Sequence, residues 1–529
     1  MHASRVVAAL TVMSALLAPE MRAQGHQHPT GEKLGTVHFT TSCAPAVAPD
    51  FDRAIALLHS FEFGNAIQGF NRVLAVDSNC AIARWGIALA RWGNPMVPNL
   101  RTPAALEAGR LAARAAAQLK PKATPREQAY IDAVAKLYEN YETTSQRSRI
   151  LAYEQAMADV ASNHISDSEA SVFYALALIA SAAPTDKTYA NQLRAGSMLE
   201  AMWTRQPDHP GLAHYIIHAY DVPALAPQAK AAAQRYADIA PSAAHALHMP
   251  SHTFTRVGLW QESVNTNLKS MEAARRDSSV GEQLHAMDYA VYAYLQMRKD
   301  SSAKAILDQL PSLAPNYDVN ALRGAATGAA GVFALSAIPA RYAIERRDWK
   351  EAAAIVPRSS PYPHTDAISW FARALGAAHT GDRGKARFAL DSLKALEARL
   401  AAAGEAYWAE QVAIQYLEAR AALYIAEGAR NDGLEAMFEA VKREDATEKS
   451  AVTPGPIVPA RELLADMYME LRRHREALAH YRDALVKEPG RFRSLYGAMK
   501  AAAAIGDRKL EGEFAAEIEK LTGSAAWTK

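Results

Sequence analysis

Apolar and polar positions in this chain recur with the period of a helix rather than that of a strand. From Phe51 to Cys80, FDRAIALLHSFEFGNAIQGFNRVLAVDSNC reads as two amphipathic helices, with Ala66 and Phe70 on the packing face of the second. CAIARWGIALARWGNP opens the next pair, placing Trp85 and Trp92 at i, i+7 on one face before Pro95 stops the helix. Pairs continue through PREQAYIDAVAKLYENY, SRILAYEQAMADVASN and SEASVFYALALIASAA. Beyond Pro315 the signal weakens, yet AIPARYAIERRDWKEAAAIVP still gives a helix, a charged turn and a helix. Runs such as LAARAAAQL favour close-packed helices, because alanine has the best helix propensity and lets helix axes approach. The expectation is an all-α protein, a right-handed α-solenoid of helix-turn-helix repeats from about Asp50 to about Leu521.

Inside this pattern the segment 207–315 stands out. It holds seven of the chain's 17 histidines, between His209 and His285. His214 and His218 form an i, i+4 pair, and 34 residues on His248 and His252 form another; Pro207 and Pro241 are offset by the same 34. A third copy follows after a small insertion, since His245, His248 and His252 map 40 residues on to His285, Asp288 and Tyr292. A period near 34 residues marks a solenoid of helical hairpins.

The final repeat, 458–491, carries the most specific pattern: Leu464, Ala465 and Tyr468 on its first helix, then Ala477, Tyr481, Ala484 and the closing Pro489. It resembles the tetratricopeptide repeat family. The likeness shows again over 51–83 and over 207–315, through Tyr220, Phe254, Tyr294, Ala229 and Ala303. The ARELLADMYME ending behind VTPGPIVP is similar to a group of uncharacterised exported bacterial repeat proteins. The resemblance implies that first helices line a concave groove. On that stripe the columns would be His214, His248, Asp288 and His218, His252, Tyr292, with His245 above His285 and Asp221 one turn past His218. Trp85 and Trp92 are candidates for an aromatic wall at the N-terminal end of the groove, although aromatics at helical spacing are usually core.

Charge narrows the partners. The 58 Lys+Arg nearly balance 56 Asp+Glu, with no long basic run, so the expectation is no nucleic acid and a peptide, protein or small polar ligand in the groove. The N-terminus reads as a signal peptide over 1–25: Arg5, an apolar run from Val6 to Ala18, then a polar exit, too short to span a bilayer. With no transmembrane segment expected after cleavage, the protein would be periplasmic or secreted. Its only two cysteines, Cys43 and Cys80, would pair as a disulfide in that compartment. The expected organisation is the signal, an extended arm over 26–49, helical repeats over 50–206, the histidine-rich repeats 207–315, and repeats over 316–529.

Two readings of the histidines stay open. An i, i+4 pair sets two imidazoles about 5–6 Å apart at Cβ, the spacing that metal chelation from one helix needs. On that reading His214, His218, His248, His252 and Asp288 would share one divalent transition metal, with Zn, Cu, Ni and Fe all compatible with imidazole. Metal affinity would then fall as pH drops through about 6.5. On the other reading the groove serves a binding or scaffold module, and the histidines form a hydrogen-bonded stack. HExxH, GxSxG and the GK[ST] ending of a phosphate loop are all absent, so binding ranks above catalysis.

Overall fold

The periodic segments fold as expected. The computed structural model describes residues 31–527, every one of them in helix, turn or irregular backbone; residues 1–25, expected to be a signal peptide, and residues 26–30 of the expected arm lie outside them. Helices come as antiparallel hairpins: Ala48–His59 with Phe63–Val76, Pro210–Ala219 with Lys230–Ile239, Val280–Gln296 with Asp300–Leu307, Ala460–Glu470 with His474–Lys487. First helices also pack on first helices, so Val280–Gln296 lies on Gly328–Glu345, and that on Pro363–His379. This all-α, helical-repeat arrangement is the one the 34-residue period predicts. No described helix is long and apolar enough to cross a membrane.

Local chemistry sets the joints. Thr124 and Glu127 close a capping box at Pro125–Lys136, and Asp382 and Asp507 accept the N-terminal amides of their helices, each cap contributing about 1 kcal/mol. The turn inside several hairpins needs one left-handed residue, supplied without strain by Gly258, Gly381, Gly428 and Gly506. In the first hairpin the same role falls to Phe61, at φ +55°, where a bulky side chain costs about 1–2 kcal/mol. That cost has a counterpart in the site described below.

Residues 33–47 run as an extended strap over the first hairpins. Lys33 N donates to Ser242 Oγ, Thr36 N to the Asp208 carbonyl, and Phe39 packs on Phe51, Trp85 and Tyr130. Cys43 and Cys80 are joined by a disulfide with Cα atoms 5.0 Å apart, tying this arm to the start of helix Ala81–Trp92. Trp85 is fully buried here, and Trp92 packs edge-on against Tyr138 with Arg101 over its ring. Both tryptophans therefore belong to the core rather than to a groove wall.

A second irregular segment, 446–459, links helices Arg430–Asp445 and Ala460–Glu470 and crosses to the histidine repeats. Tyr289 OH donates to the carbonyls of Ala451 and Thr453, Arg341 to those of Gly455 and Pro456, and Lys449 Nζ to Asp221 Oδ2 at 3.2 Å. Its two ends are held as well, Glu448 by Lys187 and Tyr189, and the following repeat by Trp260 Nε1 on the Gly490 carbonyl. The segment covers the face the histidines occupy, so that face is an interior and not an open groove.

Candidate metal centre

Helix Pro210–Ala219 carries His214 and His218, the short helices Ala244–His248 and Pro250–Arg256 carry His245, His248 and His252, and Val280–Gln296 carries His285. All six imidazoles are buried, from 0% exposed at His214 to 7% at His218. They fall into two triads, His214/His218/His245 and His248/His252/His285, and within each triad one ring nitrogen per residue lies within 4.8 Å of the others. Ring centroids of the neighbouring triads approach to 5.9 Å, for His218 with His252 and for His245 with His248. Each triad is an i, i+4 pair plus the residue three positions ahead of the equivalent pair in the next repeat. The two triads are thus one constellation, shifted by one repeat.

The hydrogen bonds fix which nitrogens are free. His214 Nδ1 donates to the His59 carbonyl at 2.6 Å, which leaves Nε2 as a bare lone pair. Asn267 Nδ2 donates to the Ser263 carbonyl, so its Oδ1 faces His248 Nδ1 at 2.7 Å and that nitrogen carries the proton. Asp221 Oδ2 accepts from His252 Nδ1 at 2.9 Å. The remaining nitrogens of the last two rings, His248 Nε2 and His252 Nε2, then face each other as lone pairs 3.1 Å apart. Among the described residues, His214 Nε2, His218 Nε2, both nitrogens of His245 and His285 Nδ1 have no hydrogen-bond partner, although all are buried. An orphaned buried ring nitrogen costs about 1–3 kcal/mol, and several such nitrogens within 4.8 Å of one another form an arrangement that a cation could satisfy.

A proton is a poor choice for that cation. Burial and the neighbouring imidazoles push His214, His218 and His248 well below the ordinary histidine range, and burial brings His252 down to about 4 and His285 to about 3. The carboxylates around the centre are not symmetric. Burial alone would raise Asp221, but Lys449 and Arg256 hold it well below the usual carboxylate range. Burial and the nearby Glu282 raise Glu62 to about 8, whereas Glu282, which burial would also raise, is lowered by His245; its Oε2 stands 3.7 Å from His245 Nδ1. Phe61 closes the first triad, its ring 4.4 Å from His214 and 5.7 Å from both His218 and His245. The strained φ at this turn delivers that ring.

The single site expected from the sequence is corrected in two respects. Asp288 does not close it: the Asp288 carboxylate is buried against Arg341, with Nε 3.0 Å from Oδ1, because helix Gly328–Glu345 sets a guanidinium where the next repeat would continue the column. Tyr292 also leaves the column, bonding Glu488 and Arg491 through its hydroxyl. His245 and His285 come in as triad members, and Asp221 takes the orienting place beside His252. A third group, His59/Glu169/His209, has the spacing of a metal site but is internally satisfied. Both Nε2 atoms meet Glu169 at 2.8 Å, His209 Nδ1 accepts from Leu212 N, and His59 Nδ1 meets Tyr215 OH. Its protons and lone pairs are all matched, and the two histidines lower Glu169 against the pull of burial. It orients the His59 carbonyl that receives His214 and needs no ion.

No family model matches the chain, and no curated protein is similar to it in sequence. Solved structures with a similar trace include the human IFIT1 dimer with m7Gppp-AAAA, 12% identical, TM-score 0.40, covering 84% of this chain and 90% of that one. The human IFIT1 dimer with PPP-AAAA is 10% identical, TM-score 0.37, covering 84% and 91%. Naa15/Naa10 bound to HypK-THB is 12% identical, TM-score 0.24, covering 90% and 68%. At such values neither ligand nor activity transfers. The expectation of no nucleic acid is withdrawn: the solved structures of similar trace include IFIT1 with m7Gppp-AAAA and with PPP-AAAA.

Proposed function

We propose that this chain is an exported metal-binding protein whose paired histidine triads hold divalent first-row transition ions, one in each triad. The observation that carries this reading is the facing pair His248 Nε2 and His252 Nε2, 3.1 Å apart with both Nδ1 protons committed elsewhere. Two imidazole nitrogens at about 2.0–2.1 Å from a tetrahedral ion lie about 3.3 Å from each other, so the contact fits two ligands of one ion. The donor set is all imidazole, which suits Zn, Cu, Ni or Fe and not the oxygen-seeking Ca and Mg. The His59 carbonyl, Asn267 and Asp221 fix the tautomers by accepting the outer N–H groups, as metal-bound histidines require. An ion in such a place supplies Lewis acidity at any position the protein leaves open. Export is supported by the N-terminal apolar run and by the Cys43–Cys80 disulfide, which belongs to an oxidising compartment.

The test is elemental analysis of the full-length protein by mass spectrometry after dialysis against each metal. We expect about two equivalents of a transition ion per chain, dropping by about one in His248→Ala. A content near zero for every ion, in folded protein, overturns the proposal.

A further inference from the structure

One of the six imidazoles, His218, reaches a cavity that opens to solvent. His218 lines a space of about 150 Å³ between the first hairpins and the 446–459 segment, together with Asp221, Tyr189, Tyr407, Glu448 and Lys449. At about 30 Å³ per water in the liquid, the space has room for a ligand of about five heavy atoms. His218 Nε2 is buried and unpartnered, and it belongs to the triad His214/His218/His245. The cavity therefore meets the wall of the centre at the His218 ring.

The charges beside that ring offset one another. Asp221 is one carboxylate shared by two cations, Arg256 Nε at 3.0 Å and Lys449 Nζ at 3.2 Å, while it also accepts the His252 proton; burial lowers the Lys449 ammonium to about 8, so it is charged at neutral pH and below. Glu448 is matched by Lys187 at 2.6 Å, and Asp186 at the mouth is turned onto Thr188. Three carboxylates of the lining, Asp186, Asp221 and Glu448, thus meet three cations, Lys449 in the wall and Arg256 and Lys187 beside it, so an ion bound at the histidines would leave the cavity net positive. Lys449 is 6% exposed in its side chain, so its charge acts with little solvent screening.

Resting on the metal reading above, we propose that this cavity admits a small oxyanion, a carboxylate or a phosphate, as an outside ligand to the ion held by His214, His218 and His245, with Lys449 Nζ pairing its negative charge. Three protein ligands leave a fourth position, the arrangement that separates working metal sites from closed structural ones. The 446–459 segment then has two tasks, covering the centre and supplying the cation that selects what enters.

The experiment loads the full-length chain with Co(II) and follows its visible absorption while acetate, phosphate or, as a neutral ligand, imidazole is added. Acetate and phosphate should each shift the band saturably, and whichever binds more tightly identifies the source of the oxyanion. Lys449→Ala should weaken the oxyanion by about tenfold, the loss of one charge-assisted contact. It should leave Co(II) content and the imidazole response unchanged, and Lys449→Arg should restore the oxyanion affinity. Should Lys449→Ala misfold, as circular dichroism would show, Lys449→Gln serves in its place. Bound Co(II) with a band that no oxyanion moves, or equal oxyanion affinity in wild type and variant, overturns this inference alone. Failure of the folded protein to take up Co(II) or any other transition ion overturns the metal reading and this inference with it.

Discussion

Replacing His252 by alanine separates a metal centre from a hydrogen-bonded stack of histidines. The side chain is 1% exposed, and its Nε2 faces His248 Nε2 at 3.1 Å. Removing it strands no charge, because Asp221 keeps Arg256 and Lys449. The cost that does not depend on metal is then the ordinary one for a buried truncation, about 1–2 kcal/mol. The metal-dependent part is separate. Structural zinc sites yield about 10–16 kcal/mol over four ligands, about 3 kcal/mol per ligand, so losing one imidazole raises the dissociation constant of its triad about 100-fold. At free metal 100 times the wild-type constant, that triad stabilises the wild type by about 2.7 kcal/mol and the variant by about 0.4. For a chain near 500 residues, with unfolding entropy of about 1 kcal/mol/K, the difference is a gap of about 2 °C that exists only with metal. The assay is thermal unfolding of both proteins with a strong chelator and with buffered Zn(II). If Zn(II) raises both melting temperatures equally, or raises neither, the triad is a stack and the argument from facing lone pairs is wrong.

Acid should weaken the metal-free protein by a predictable route. His252 and His285 titrate at about 4 and about 3 in the folded chain, against about 6.5 unfolded, so the unfolded state takes up protons first. Their contribution is complete above pH 6.5 and falls by about 1.4 kcal/mol per group per pH unit toward pH 4, which acid titrations of the unfolding midpoint will read; a flat midpoint over that window refutes it. For the same reason metal affinity should hold below pH 6.5 and fail only near pH 4–5, correcting the midpoint expected from free imidazole; competition with a chromophoric chelator across pH decides. Glu169→Gln should destabilise the protein by about 2–3 kcal/mol, because one amide oxygen cannot accept from both His59 and His209, yet leave metal content unchanged. Loss of metal in that variant would mean that the third group is a site after all. Replacing Cys43 and Cys80 by alanine opens a loop of 37 residues and should cost up to about 3–4 kcal/mol in denaturant midpoint, whereas an unchanged midpoint would show that the arm is held by its packing alone.

The periodicity made the hairpins and the positions of the i, i+4 pairs legible, because both are local properties of a helix. The third member of each triad was not legible as a ligand: spacing along the chain puts His245 and His285 in a separate column, and only the packing of successive first helices brings each beside the pair of a triad. Asp288 misled because the column argument assumes that every repeat meets the same neighbour, and Arg341 arrives from a helix whose sequence gives no such repeat signal. Phe61, Asn267 and Lys449 carried no pattern at all. Phe61 acts through a strained turn, Asn267 through one acceptor atom, and Lys449 sits 228 residues from the aspartate it meets.

That last separation changes how the chain must assemble. A solenoid built only of neighbour contacts folds from any point and tolerates shortening by whole repeats. Here Leu100 bonds Glu405, Lys187 bonds Glu448, and Trp260 bonds Gly490, across 305, 261 and 230 residues. The histidine repeats can form early in synthesis, but they stay unlidded until residues 446–459 have left the ribosome and found them. Loop closure on that scale makes the last step slow and all-or-none. A chain cut at residue 445 should therefore behave as an open, protease-sensitive array with its imidazoles bared to any passing ion, and not as a shorter version of the same protein.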